Sequence, residues 1–167
     1  MFKFTESQII DATPNLVWTY LCDIKRWWLP SNPDHVELLV DDKNLHAGSV
    51  VRFKERVAGF PGEAKGKITE WESGRKVTWE GVATYHYLGV CVTIDEGVTW
   101  EILSRLGRTT LTATVWADFS GSLKGRMFEV WFLKLFRVID RDREHARIEL
   151  EYIKNAVESE ARLVATS

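Results

Sequence analysis

Residues 124–158 read KGRMFEVWFLKLFRVIDRDREHARIELEYIKNAVE, and the reading of this stretch decides the fold. It contains no proline, and its only glycine is Gly125. A continuous helix of this length runs on the order of 50 Å at ~1.5 Å per residue. Phe128, Phe132, Leu135, Ile139, Ala146, Leu150, Ile153 and Val157 recur at three-four spacing and form one stripe of that helix. Between Met127 and Ile139 only Glu129, Lys134 and Arg137 interrupt an apolar run. A helix with one stripe covers a core, whereas one apolar nearly all round needs a second surface to touch.

The chain ahead of this helix supplies the core to be covered. Residues 2–12 read as a strand. Thr13 can cap a helix whose first turn accepts Pro14, and Leu16, Val17, Tyr20 and Leu21 follow at helical spacing. Asp23 to Pro33 reads as a second short helical piece breaking into a loop. The period then changes to two: Val36, Leu38 and Val40, then Val51, Phe53 and Val57 opposite Arg52, Lys54 and Arg56. Gly59-Phe60-Pro61-Gly62 reads as a turn. Glu72-Ser73-Gly74-Arg75 separates two further strands, and Arg105-Leu106-Gly107-Arg108 turns between the last two. Tyr85 to Gly97 admits two readings: one strand running on into the next, or a hairpin turning at Asp95-Glu96-Gly97.

Strands that follow one another without intervening helices form an antiparallel meander. The expected architecture is therefore α+β: a curved antiparallel sheet of six to seven strands wrapped round a long C-terminal helix, with two short helices after strand 1. Residues 1–160 make one domain and 161–167 a C-terminal tail. A chain of 167 residues leaves little room for a second domain.

The bulk numbers exclude several classes. A net charge of −2 gives no basic face for nucleic acid. No run approaches ~18 uninterrupted apolar residues, so no stable membrane insertion is expected. The start, MFKFTESQII, lacks a signal-peptide pattern, and the expected location is cytoplasmic. Cys22 and Cys91 stand far apart and read as buried free thiols. Eight tryptophans against two methionines supply large rigid apolar surface.

The segment Ile10-x-Ala12-x-Pro14-x-x-Val17-Trp18-x-x-Leu21-x-Asp23 resembles the opening signature of the START-like, or SRPBCC, superfamily. Gly48-Ser49 leading into a strand, Gly66-Lys67-Ile68-Thr69-Glu70-Trp71 and Arg75-Lys76-Val77-Thr78-Trp79 fit the later pattern, and so does the passage from Thr109–Phe119 through Ser120-Gly121 into the last helix. The resemblance covers nearly the whole chain and extends to polyketide cyclase/dehydrase-like members. It implies a helix-grip fold with a cavity between sheet and helix for a hydrophobic small molecule. Members bind sterols, lipids, plant hormones, quinones or polyketides, and a minority catalyse cyclisation or dehydration. Fold alone does not choose among these. Rieske oxygenase members carry iron, which needs clustered histidines and carboxylates. No such cluster is visible in the spacing here, so neither a metal nor another cofactor is expected.

By alternation Phe53, Trp79, Trp100 and Phe119 face the helix, and Phe128, Trp131, Phe132 and Leu135 face them from it. Such a set either fills a core or lines an apolar pocket. Glu55 shares the face of Val51, Phe53 and Val57. A carboxylate there is desolvated with a raised pKa, and can orient a polar ligand or exchange protons; the alternative is a bulge that turns it outward, or an arginine partner. Asp142 lies on the helix stripe, to meet an inner partner or to be left solvated by a local twist. Tyr85-His86-Tyr87 offers groups to polarise a carbonyl at a cavity mouth, or else a solvated strand edge. Glu55, Tyr85 and His86 are thus the acid/base candidates. His35, His46, His86 and His145 show no metal-ligand spacing among themselves. Glu144, Arg147, Glu151 and Lys154 read as a solvated helix face.

The expectation is a protein that binds a lipid, polyketide or similar aromatic or isoprenoid compound. The alternatives are a polyketide cyclase/dehydratase-type enzyme using the same cavity, and a homo-oligomeric interaction module. Val130, Trp131, Leu133, Phe136 and Val138 remain after the stripe is accounted for, and a homodimer is one way to cover them.

Overall fold

The computed structural model describes residues 1–57, 59–87, 90–105, 108–119 and 138–166. The described elements run β1 (Phe2–Ile10), α1 (Pro14–Cys22), α2 (Ile24–Ser31), β2 (His35–Val40), β3 (Val50–Val57), β4 (Phe60–Glu72), β5 (Lys76–Tyr87), β6 (Val90–Arg105), β7 (Arg108–Asp118) and α3 (Val138–Ala165). All seven strands form one antiparallel sheet in the order β1-β7-β6-β5-β4-β3-β2. This is the expected helix-grip arrangement, with α1 and α2 after the first strand. Phe128, Trp131, Phe132 and Leu135, and the surplus apolar surface at 130–136, lie outside the described residues.

Local chemistry sets the boundaries. Thr13 is extended and its hydroxyl accepts the Leu16 N–H, so α1 begins with Pro14 in its first turn. Gly74 takes φ +77 in the β4–β5 hairpin, and the Arg75 N–H closes that turn on the Glu72 carbonyl at 2.9 Å. In mid-sheet Gly66 and Gly81 sit opposite each other. A Cβ on Gly66 would lie 2.2 Å from the Glu80 carbonyl oxygen, so the two backbones touch where side chains would hold them apart.

The core lies between the concave sheet face and the helices. Ala146, Leu150, Ile153 and Val157 on α3 are buried there, with Ile68, Val77, Trp79, Trp100, Ile102 and Leu111 from the sheet. Trp27 of α2 is almost fully buried; its indole N–H donates to the Leu21 carbonyl, and its ring meets the Trp100 ring edge-on. The polar side of α3 is exposed at Glu144, Arg147 and Glu151, as its spacing predicts, and it still reaches the sheet. Arg147 reaches across to Glu6 of β1 at 2.9 Å, and Lys154 donates to the Ile9 carbonyl at 2.6 Å.

Four local expectations are corrected. The chain turns before Phe60, at Gly59 with φ +86, so Phe60, Pro61 and Gly62 already belong to β4. Neither reading of Tyr85 to Gly97 holds: β5 and β6 pair as far out as Tyr87 and Val90, and Asp95-Glu96-Gly97 lies inside β6. Val36 does not join Leu38 and Val40 inside, because a register shift between His35 and Glu37 turns it out and His35 in. Cys91 is exposed and Cys22 half-buried, where both read as buried. No helix among the described residues is long and apolar enough to cross a membrane.

Candidate functional site

A cavity of about 120 Å³ lies between the sheet and α3. Phe53, Trp79, Trp100 and Phe119 line it as alternation predicts, joined by Trp27 and Trp28 from α2. The rings touch one another: Phe53 stands 4.9 Å from Trp79 and 5.2 Å from Trp28, centroid to centroid. Much of the tryptophan surface therefore fills the interior instead of walling a large void.

Part of the cavity lining is polar. Glu55, Tyr85, Glu96, Asp142, His145 and Glu149 all line it. Glu55 arrives from β3 by the alternation that buries Val51 and Val57, with no bulge and no arginine partner among the described residues. Tyr85 arrives from β5, and its ring lies against Gly62 of the paired strand. A Cβ at Gly62 would stand 2.5 Å from that ring, so a residue with no side chain is what leaves room for it. The Tyr85 hydroxyl donates to Glu96 Oε2 at 3.0 Å. The same alternation sends His86 outward, where its Nδ1 lies 3.2 Å from Cys91 Sγ. His86 is therefore no part of the site.

Asp142, His145 and Glu149 project from one face of α3, at positions i, i+3 and i+7. They meet His35 from the start of β2. The His35 ring stacks on the Trp28 indole, 3.6 Å away and 6° from parallel, and its Nδ1 is hydrogen-bonded to the Trp28 carbonyl. Its Nε2 lies 2.9 Å from His145 Nε2 and 2.9 Å from Glu149 Oε1. Glu55 Oε2 stands 3.7 Å from the Nε2 of each histidine. The sequence reading found no clustered histidines and carboxylates. The structure corrects this: His35, Glu55 and His145 converge.

Burial dominates the electrostatics. It pushes the Glu55 carboxyl up to about 8, with His145 opposing and the Glu96, Glu149 and Asp142 charges adding to the rise. Burial lifts Glu96 to about 7 against the Tyr85 hydrogen bond, and Asp142 to about 6 against the pull of His145. Glu149 goes the other way: its desolvation is outweighed by hydrogen bonds from His145 and His35, and its pKa falls to about 2. Burial would lower His145, but Glu149, Glu55 and Asp142 raise it to about 9. Tyr85 is held well above its ordinary value by burial and by Glu96.

Sequence reasoning missed His35, Glu96, His145 and Glu149. Three of these were within reach. Glu96 alternates in phase with Ile94, Val98 and Trp100, and Asp142, His145 and Glu149 share the three-four spacing of Ile139, Ala146 and Leu150. His35 depended on the bulge.

The family described as polyketide cyclase / dehydrase and lipid transport matches residues 1–141. No curated protein matches significantly. Among solved structures the chain is similar to the protein TTHA0849 from Thermus thermophilus, at 16% identity, covering 99% of this chain and 100% of that one with a TM-score of 0.65. It is similar to the hypothetical protein jhp0584 from Helicobacter pylori at 12% identity, covering 93% and 88% with a TM-score of 0.64. The di-domain ARO/CYC BexL of the BE-7585A biosynthetic pathway matches at 16% identity, covering 94% of this chain and 50% of that one with a TM-score of 0.57. Identities this low show the shared fold alone. With the family match spanning most of its length, the chain belongs to the polyketide cyclase / dehydrase and lipid transport family.

Proposed function

We propose that the protein takes up a small, mostly apolar compound with one oxygen-bearing end in the cavity between sheet and helix. The observation that carries this reading is the mixed lining: the rings of Phe53, Trp79, Trp100 and Phe119 together with the polar groups Glu55, Tyr85 and Glu96. Apolar walls with a few converging polar groups suit small-molecule recognition. Trp79 also keeps its buried indole N–H without an acceptor among the described residues, and a ligand oxygen reaching it would satisfy that donor. The volume restrains the size. At about 120 Å³ the cavity is well below the ~300–1,000 Å³ of drug-sized pockets and of the order of the ~150 Å³ that admits benzene. A lipid or polyketide of several rings therefore enters only if the lining moves apart. Native mass spectrometry of protein purified from its own host tests the reading. A retained compound of one or two rings is expected. A protein that retains nothing, and binds no monocyclic phenol in titration, would overturn it.

A second reading, an enzyme of the cyclase/dehydratase type, is favoured by the Tyr85–Glu96 pair. A neutral tyrosine donates to a carboxylate poised near neutrality inside an apolar cavity. Tyr85 would give its proton to a ligand oxygen, and a proton on Glu96 would restore it. Turnover of a β-hydroxyketone probe that is lost in both Tyr85→Phe and Glu96→Gln would support this. Turnover unchanged in both would rule it out.

A further inference from the structure

We propose that His35, Glu55 and His145 form a binding site for one divalent first-row transition metal ion of the zinc class. The site is distinct in its chemistry from the apolar walls, and it does not depend on which organic ligand the cavity takes.

The distances are those of metal ligands. His35 Nε2 and His145 Nε2 are 2.9 Å apart, and Glu55 Oε2 is 3.7 Å from each. In a triangle with these sides, one point lies about 2.0 Å from all three corners, and zinc–imidazole and zinc–carboxylate bonds are ~2.0–2.2 Å. The three ligand atoms therefore already surround a position that an ion would occupy.

The tautomer is set for this. The Trp28 carbonyl can only accept a hydrogen bond, so His35 carries a proton on Nδ1. In the neutral ring that leaves Nε2 as a bare lone pair directed into the cluster. An imidazole oriented through its other nitrogen by a backbone carbonyl is the usual arrangement behind a metal-bound histidine. Stacking on Trp28 fixes the ring plane as well. Without a cation, that lone pair faces a second imidazole nitrogen at 2.9 Å and a carboxylate oxygen, Glu149 Oε1, also at 2.9 Å. A carboxylate offers only acceptors, so a bare Nε2 and Glu149 repel unless something positive lies between them. A proton or a metal ion can fill that role.

Charge favours the ion. The described cavity lining contains four carboxylates, Glu55, Glu96, Asp142 and Glu149, and neither lysine nor arginine. Buried carboxylates need compensating positive charge, and one divalent ion offsets two of them at once where a single proton offsets one. Two imidazoles and a carboxylate suit borderline metals of the zinc and ferrous group better than calcium or magnesium, which prefer oxygen. Glu149, 3.4 Å from His145 Nε2, stands ready as a fourth ligand or as an acceptor for a metal-bound water. Glu55, His145 and Glu149 all line the cavity, so positions the protein leaves open on the ion face the ligand space.

The test is a titration of the full chain, stripped with chelator, using Zn²⁺ by calorimetry and Co²⁺ by visible absorption. One ion per chain is expected, with a tetrahedral or five-coordinate cobalt spectrum that Zn²⁺ displaces. Glu55→Gln and His145→Gln are each expected to weaken binding by ~10–100-fold or more. Both side chains reach the cavity, so these variants are less prone to unfold than changes at His35, and circular dichroism checks each. The exposed His86–Cys91 pair is the obvious adventitious site, and His86→Gln is expected to leave the stoichiometry unchanged. The proposal is overturned if no ion binds at one per chain, in which case His35 and His145 share a proton instead. It is equally overturned if binding survives Glu55→Gln and His145→Gln but is lost in His86→Gln.

Discussion

His35 and His145 stand 110 positions apart in the chain, yet their Nε2 atoms lie 2.9 Å from each other in the interior. One begins β2 and the other rides on α3, so their contact ties the last strand of the sheet order to the helix it grips.

His35→Leu tests that tie. The substitution removes one hydrogen bond from the Trp28 carbonyl, which keeps the Ser31 hydroxyl, and the contact with Glu149, which keeps His145. Two lost polar contacts at ~0.5–1.5 kcal/mol each are expected to cost ~1–3 kcal/mol. Urea unfolding of the two proteins checks it; a change below ~0.5 kcal/mol, the size of a surface substitution, would mean that the contact holds nothing.

Glu96 predicts a pH dependence with a definite sign. Its pKa is about 7 in the folded chain and near 4.5 when unfolded, so the folded state binds the proton more tightly. The resulting stability is full below about 4.5 and is lost as pH rises through about 7. Tyr85 on β5 and Asp142 on α3 face it, and Asp142 adds a slope of the same sign at slightly lower pH. The stability difference between wild type and Glu96→Gln, followed by urea midpoints from about pH 4 to about pH 8, isolates the Glu96 share and should fall across that range. A flat difference would refute the assignment.

Gly62 predicts a coupling to Tyr85. Gly62→Ala drives a methyl into the Tyr85 ring and is expected to cost ~1–3 kcal/mol. In a Tyr85→Leu background the flat ring is gone, and the same change should cost less. A double-mutant cycle reads the difference; strict additivity would show that the two do not touch.

The stripe of α3 predicts unequal alanine scans. Ile153 is fully buried and Ile148 is 39% exposed on the same helix. Ile153→Ala is expected to cost ~2–5 kcal/mol, and Ile148→Ala under ~0.5 kcal/mol. Equal costs would place the helix in the wrong rotation against the sheet.

Filling the cavity should abolish uptake. Ala117 is buried on its wall, and Ala117→Phe puts a ring into the space. Loss of phenol binding with a retained circular dichroism spectrum is the expected result. Unchanged affinity would move the ligand elsewhere.

The fold was legible in the sequence because period and punctuation are local. Thr13-Pro14 opened α1, Gly74 turned a hairpin, and alternation sent Phe53, Glu55, Trp79 and Trp100 inward, whereas Tyr85 and His86 were read as one cluster and the sheet parts them. The misreadings came where a local pattern had two physical meanings. Asp95-Glu96-Gly97 has the composition of a turn, but Glu96 is an inward carboxylate and Gly97 makes room for the Trp116 indole. Val36, Leu38 and Val40 read as the inward set of β2, and one bulge exchanged the direction of Val36 with that of His35.

By itself, the order of residues determined which face of each strand and helix turns inward, because side-chain direction follows from backbone period alone. Which inward groups meet was decided only by the tertiary structure. Glu55, His145 and His35 belong to elements whose separation along the chain says nothing about their distance. Their contact depends on sheet register, a bulge and the rotation of α3 together. The cluster of His35, Glu55 and His145 is a product of those three settings, and no single segment contains it.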